Sequence, residues 1–321
     1  MMKHKLKMNR MIRPELTVFV FMILSLVVGV LLSPNFLDIR FLLGSTIFYC
    51  ELGLMAIPFT LLLTSGEIDL SIAANMSLVA CLVAVLYQAG MSMPVLIVIG
   101  IAAGTLLGFF NGLLVTVTKL PSLVITIGIM SVYQGFSQVL VGDAAISGFP
   151  EWFIGLDQYT ILGLIPLNLI ILIVIALIFS FLLKKTVWGR KITAIGLNRG
   201  TALYSGVAVE KTKVLLFTIQ GTFCAIAGIM TMSRLQMAKY TIAGDGQMDV
   251  ITMVLLGGTA FAGGRGSVLG TLAAFFIIVF IRTGMRLALL SNYAQMAILG
   301  LLLILVIIIS NGLEKMAKKY E

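Results

Sequence analysis

Apolar runs of about twenty residues recur along this chain with only short polar breaks between them, and about twenty is the number a helix needs to cross roughly 30 Å of hydrocarbon. Ten such runs can be drawn, at 15 to 32, 42 to 64, 70 to 89, 94 to 117, 121 to 141, 161 to 183, 214 to 232, 248 to 262, 268 to 288 and 293 to 310. Lipid offers no partner to a bare peptide group, so runs of this kind cross as helices. The expected fold class is therefore an all-α membrane protein of about ten transmembrane helices. Composition agrees: 60% of the 321 residues are hydrophobic and 11% are charged, whereas a soluble domain carries roughly a quarter charged. The chain reads as one membrane domain, residues 1–321, with a tail at 1–14, a bundle at 15–310 carrying a polar loop at 184–213, and a tail at 311–321. The first run is too long for a signal peptide and lacks an A-x-A-like cleavage site, so it reads as a retained anchor.

Several function classes fall away at once. The only histidine is His4, which excludes an HExxH zinc protease and a His-based triad in the body of the chain. Cys50, Cys81 and Cys224 lie inside apolar runs without CxxC spacing and read as small buried hydrophobes, with no metal site and no disulfide. The net charge of +9 points to topology rather than nucleic acid. With both termini placed in the cytoplasm, seventeen Lys and Arg fall on inner segments and five (Arg40, Arg234, Lys239, Arg282 and Arg286) at outer ends, as the positive-inside rule requires.

Two hydrophilic segments, 142–160 outside and 184–213 inside, are too small to be domains. The energy source must lie in another chain or in ions crossing the bilayer. Two internal similarities suggest an inverted repeat: Gly66-Glu67-Ile68-Asp69 against Gly246-Gln247-Met248-Asp249, and Gly104-Thr105-Leu106 with Phe109-Phe110 against Gly270-Thr271-Leu272 with Phe275-Phe276. In the drawn topology the members of each pair run in opposite directions, an arrangement that lets a central path open to either side in turn.

Polar residues inside the runs are the candidate functional groups, because charge at membrane depth costs about 3 kcal/mol on insertion scales. The break Thr64-Ser65-Gly66-Glu67-Ile68-Asp69-Leu70-Ser71 reads either as a re-entrant connection or as a plain turn in which Asp69 or Ser71 caps the third helix. Glu51 lies nine residues past Leu42 in the second run, about 13 Å deep at 1.5 Å per residue, which favours an interior position over snorkelling. It is expected on a translocation path or in an interhelical hydrogen bond. Asn75 in the third run joins the path candidates. Gly104, Gly108 and Gly112 form a smooth stripe for close helix approach, with Asn111 beside it to bond across the contact or line the path. Ser131, Gln134 and Gln138 share one face of the fifth run and read as lining a hydrated route rather than as helix-to-helix glue. The 184–213 loop is too polar to span. Within it Ala202, Leu203 and Val207 would give a short helix an apolar edge, suited to a membrane surface or a groove on a partner. The stretch Val254 to Ser267 is dense in glycine but has no GK[ST], so it reads as tight crossings and a turn rather than a nucleotide site.

At this point the chain resembles the permease subunits of the ribose-type bacterial ABC importers, the family that also serves xylose, rhamnose and autoinducer-2. The family pattern GGIDLS is matched by Gly66-Glu67-Ile68-Asp69-Leu70-Ser71. Asn111-Gly112, PSLVITIG at 121–128, Ala194-Ile195-Gly196 with Asn198, Ser205-Gly206, Ala227-Gly228, Ser233-Arg234-Leu235, Leu256-Gly257-Gly258-Thr259 and Ala262-Gly263-Gly264 follow in order. Met93-Pro94 and Gly148-Phe149-Pro150 are similar to the autoinducer-2 and rhamnose branches. The resemblance covers about residues 40 to 310.

The resemblance implies a type II bundle in the bacterial inner membrane, paired with a second permease, identical or paralogous. Two cytoplasmic ATPase subunits, which hold the ATP and Mg, grip the loop after the sixth helix, and a sugar-binding protein docks outside. This chain would carry no cofactor of its own. Transferred to this sequence, the coupling helix falls at Asn198, Arg199, Gly200, Thr201, Ala202, Leu203, Tyr204, Ser205 and Gly206, and Gly66, Asp69, Ser71, Gly257, Gly258, Gly263 and Gly264 are motif positions. Two departures stand out: Glu67 replaces the usual second glycine, and Arg199-Gly200-Thr201 stands where the family often has a run ending in two alanines. The rival class is an ion-coupled transporter using Glu51. An intramembrane aspartyl protease would want paired Asp at mid-membrane, whereas Asp245 and Asp249 fall near the outer edge.

Overall fold

The computed structural model describes residues 38–305 except Leu162 and Asn292, together with Met22, Ile23, Leu26, Val27, Gly29, Val30, Phe36 and Ile308. Both tails and most of the first expected span lie outside the described residues, as does the end of the tenth.

Asp38 opens α1 (Ile39–Ser45), its Oδ1 accepting from the backbone N–H of Arg40 at 2.8 Å, the usual cure for orphan N–H groups at a helix start. The run expected to continue straight to residue 64 does not. A 3-10 turn over Thr46–Phe48 follows, and α2 (Cys50–Thr64) sets off at 65° to α1. The Ser45 and Thr46 hydroxyls donate to the carbonyls of Leu42 and Leu43, competing with the helical ladder where the bend occurs. Fourteen of the fifteen residues of α2 are buried. A helix apolar all round belongs in the centre of a bundle.

The other long or apolar helices are α3 (Ile72–Gln88), α4 (Met93–Thr118), α5 (Ser122–Val141), α7 (Leu167–Lys185), α10 (Val209–Leu235), α11 (Gly246–Leu256), α12 (Val268–Leu287) and α13 (Tyr293–Leu305), of which α7, α10, α11 and α12 pack directly on α2. The short helices are α6 (Glu151–Ile154), α8 (Val187–Leu197) and α9 (Arg199–Tyr204). Among the described residues there are two antiparallel pairs of two-residue strands: β1 (Ile146–Ser147) with β4 (Met237–Ala238), and β2 (Thr160–Ile161) with β3 (Ile165–Pro166). Among the described residues α4, α5, α7, α10 and α12 are long and apolar enough to cross a membrane, making five, or six when bent α1–α2 counts as one span. The helices α3, α11 and α13 are apolar but shorter.

Three expected limits are corrected. The sixth run begins as the β2–β3 hairpin and becomes helical only at Leu167, after Pro166. The seventh extends at both ends, to Val209 and Leu235. The eighth stops at Leu256, because Gly257-Gly258 ends the helix and Gly258 turns to φ +86°, a left-handed conformation glycine adopts without strain.

The α4–α10 crossing is closely packed along its length. A Cβ on Gly108 would lie 2.8 Å from the Gly221 Cα and closer still to the Phe217 carbonyl oxygen, so only glycine fits. Thr105 and Thr222 share a 2.8 Å hydroxyl hydrogen bond across the same contact. The outer faces carry the exposed apolar side chains, including Val98, Val117, Val139 and Phe181, as expected of a surface that meets lipid. All three cysteines are buried.

Candidate functional site

The break between α2 and α3 is a buried, hydrogen-bonded turn. Gly66 adopts φ +84°, which a side chain resists, and Glu67, Asp69 and Ser71 are all buried. Asp69 Oδ1 accepts from the Ser71 N–H at 2.9 Å and from its hydroxyl at 2.6 Å. Ser71 occupies the N-cap position of α3 without a capping bond from its own side chain. Asn111 Nδ2 donates to Ser71 Oγ at 2.8 Å, and the Tyr133 hydroxyl donates to Asn111 Oδ1 at 2.7 Å. Asp69, Ser71, Asn111 and Tyr133 thus form one chain through α4 and α5. Ser122 and Thr126 accept the N–H groups of Ile68 and Leu70 at 3.0 and 3.2 Å. Asn75 Nδ2 reaches the Gly104 carbonyl at 3.4 Å, pinning α3 to the glycine stripe.

Below this turn three glycine-bearing segments meet. The Gly264 N–H donates to the Thr64 carbonyl at 2.8 Å. A Cβ on Gly263 would fall 2.8 Å from the Gly66 Cα, and one on Gly196 would strike Thr64 and Gly264. Gly257 presses on Gly270 and Thr271 of α12 in the same way. Gly263 and Gly264 are therefore close-approach positions that hold the 257–267 loop against the α2 terminus and the α8 terminus, Gly257 is a close-approach position against α12, and Gly66 is required by its positive φ.

Gly196 leads into α9. The Asn198 side chain caps α9 by accepting the Thr201 N–H at 2.9 Å. The expected apolar edge divides in two: Ala202 and Val207 turn inward onto Ile195 and Val209, while Leu203 is 58% and Tyr204 93% exposed. Ala202 is thus part of the loop's own small core, and the outward apolar groups are Leu203 and Tyr204. Arg199 pairs with Glu210 at 2.5 Å on the surface. Gly200, Ser205 and Gly206 complete the segment, the last at φ +80°. One charged pair ties this loop to the buried turn: Lys213, in the second turn of α10, pairs with Glu67, both nearly excluded from solvent.

At the opposite end Glu51 is buried in the first turn of α2 and pairs with Arg234 in the last turn of α10. The interior position is as expected, but Glu51 does not lie about 13 Å along a straight helix from Leu42, because the chain bends by 65° before Cys50. Asp249 takes Arg282 through both carboxylate oxygens at 2.7 and 2.6 Å, and Arg286 donates to the Tyr49 hydroxyl at 2.8 Å. Gln134 and Gln138 border a cavity of about 380 Å³, and Ser131 is exposed on the same helix.

Ser122, Thr126 and Tyr133 as supports of the turn, and Lys213 and Arg234 as partners of the two buried glutamates, are not evident from sequence. The legible signal for the last two was only their place, basic residues flanking the two ends of a long apolar run. Among the described residues no group of three or more His, Cys, Asp or Glu could hold a metal ion.

The family model described as "Branched-chain amino acid transport system / permease component" matches residues 41–307. The chain is 33% identical over 300 residues to the autoinducer 2 import system permease protein LsrD of Escherichia coli K12, covering 92% of this chain and 91% of that protein. The proteins of the same name from Shigella flexneri and Escherichia coli O157:H7 match to the same extent. No solved structure matches the chain. On the family match over most of its length and the helical bundle beneath it, this chain belongs to the permease-component family of branched-chain amino acid transport systems, as a multi-pass membrane transport subunit.

Proposed function

We propose that the chain is the membrane permease of an ATP-binding-cassette importer for a sugar or sugar-like small polar solute of the ribose, rhamnose or autoinducer-2 class, with ATP and Mg held by a partner ATPase. The observation that carries this reading is the mechanical connection from the exposed Leu203 and Tyr204 of α9, through Gly196 and the Glu67–Lys213 pair, to the buried turn at Gly66–Ser71. A push on α9 by a closing ATPase dimer would reach the α2–α3 break without passing through a flexible linker. On this reading Asn198 to Gly206 is the coupling segment, the loop end of the bundle and both termini face the cytoplasm, and residues 1–321 form one permease domain without a cofactor of its own.

The reading extends to a type II bundle of about ten helices built as an inverted repeat. Its support is a pair of threonine bridges: Thr105 to Thr222 joins α4 to α10, and Thr271 to Thr60 at 2.7 Å joins α12 to α2. Thr105 and Thr271 are equivalent positions in the two repeat copies. A second permease, identical or paralogous, would complete the path, and an extracytoplasmic sugar-binding protein would deliver the solute. Of the path candidates, Ser131, Gln134 and Gln138 are assigned to solute, whereas Asn75 and Asn111 support the turn beside it. Ion coupling through Glu51 is not favoured, since Arg234 occupies that carboxylate.

The test is uptake by cells expressing the permease with its ATPase and binding protein. ATP depletion is expected to abolish accumulation, and collapse of the proton gradient at constant ATP to leave it within about twofold. Accumulation that survives ATP depletion and disappears with the gradient would overturn the proposal.

A further inference from the structure

The helix α5 presents three faces. Tyr133 and Ser137 are buried against α3 and α4, Val132, Phe136 and Val139 are exposed and apolar, and Ser131, Gln134 and Gln138 occupy a third strip. The two glutamines open into the cavity of about 380 Å³ between α3, α5 and the 240–245 segment, with Ser77, Tyr240, Thr241 and Asp245 as its other polar lining groups. That volume lies in the range of roughly 300–1,000 Å³ typical of small-molecule sites.

Among the described residues the side chains of Gln134, Thr241 and Asp245 make no hydrogen bond within the chain, while Gln138 donates to Asp143 Oδ1 at 3.4 Å. Amides and carboxylates left in hydrocarbon are costly, so this strip faces water or solute and not lipid. The charge is one-sided. Asp245 lines the cavity and Asp143 stands at Gln138, whereas among the described residues no Lys or Arg lines it. The adjacent basic group, Lys239, lies over the Tyr240 ring at 5.9 Å.

We propose that this cavity is a water-filled contact site for an uncharged, hydroxyl-rich solute, and that Asp143 and Asp245 exclude anions from it; the inference rests on the transport reading above and deepens it. Two carboxamides, each offering two donors and an acceptor, with three hydroxyls, match neighbouring hydroxyls of a neutral carbohydrate-like molecule. A phosphorylated or carboxylated analogue would meet two like charges and no Lys or Arg among the described lining residues.

The test uses the full chain in membranes, with its buried native cysteines left in place. Gln138→Cys and, independently, Thr241→Cys are treated with a cationic and an anionic methanethiosulfonate reagent, each rate normalised to that of a free thiol. Both positions are expected to react, with the cationic reagent favoured on the order of tenfold, a preference that falls several-fold when Asp245→Asn is added. Val139→Cys on the apolar face is expected to stay unmodified. Thiols at both cavity positions that resist both reagents, or that react with the anionic reagent as readily as with the cationic one, would overturn the proposal. The outcome is independent of uptake: cavity labelling as expected in a permease that fails the ATP test would sink the transport reading and leave the hydrated cavity standing.

Discussion

Substituting Lys213 by Met is expected to destabilise the protein by about 3–5 kcal/mol, the cost of breaking a buried ion pair from one side. Lys213 and Glu67 are 6% and 8% exposed, so the methionine fills the space of the lysine stem but leaves the Glu67 carboxylate without its counter-charge. The turn that holds Glu67 also holds Asp69 and Ser71, so the damage enters the Tyr133–Asn111–Ser71–Asp69 chain directly. The midpoint of thermal unfolding in detergent measures it. The double variant K213M/E67Q, which removes both charges, is expected to recover to within about 1–2 kcal/mol of the parent. A double variant as unstable as K213M would show that the pair is not the source of the loss.

An equally large effect is expected from Gly108→Leu. A Cβ at this position already meets the Gly221 Cα at 2.8 Å, and its other neighbours are backbone atoms of α10, which cannot rotate away as a side chain could. The whole α4–α10 crossing must separate to admit leucine, breaking the Thr105–Thr222 bond and drawing Asn75 from Gly104. The cost exceeds the roughly 1–3 kcal/mol of ordinary overpacking, and the expected readout is loss of monodisperse protein after solubilisation. Gly128→Leu is the control: Gly128 lies on α5 with nothing within 4 Å of a built Cβ, and protein of parental behaviour is expected. Equal behaviour of the two variants would contradict the close crossing.

The glycine stripe shows how far sequence could carry the fold. Gly104, Gly108 and Gly112 at four-residue spacing announce a close approach, because lipid-embedded helices associate by packing rather than by hydrophobic burial. The short helix after Asn198 was legible from Ala202, Leu203 and Val207, small and apolar residues in an otherwise polar loop. The bend between α1 and α2 was not legible. Hydropathy measures transfer into lipid, and a helix that turns 65° at Tyr49 inside the bundle stays as apolar as a straight one.

Partners of buried charge were hidden too. Glu51 and Arg234 are separated by 183 residues, and only the fold brings the first turn of α2 to the last turn of α10. The same holds for Glu67, whose departure from the glycine of the family pattern is explained by Lys213 beside it. What sequence signalled in each case was the anomaly, a carboxylate among apolar residues, since such a group persists only where something compensates it. Ala202 was misassigned to an outward edge because a six-residue helix carries too little periodicity to tell which face the loop folds over.

If α9 receives the push of a separate ATPase, that push lands on Tyr204, the most exposed large apolar side chain of the helix. With 93% of its surface exposed, Tyr204 can be replaced by Asp without disturbing the fold. In proteoliposomes holding the permease, its ATPase and its binding protein, Tyr204→Asp is expected to cut ATP-driven uptake on the order of tenfold or more, the loss typical of an aromatic anchor removed from an interface. Its unfolding midpoint should match that of the parent. Uptake at the parental rate by the correctly folded variant would show that α9 is not where the ATPase acts.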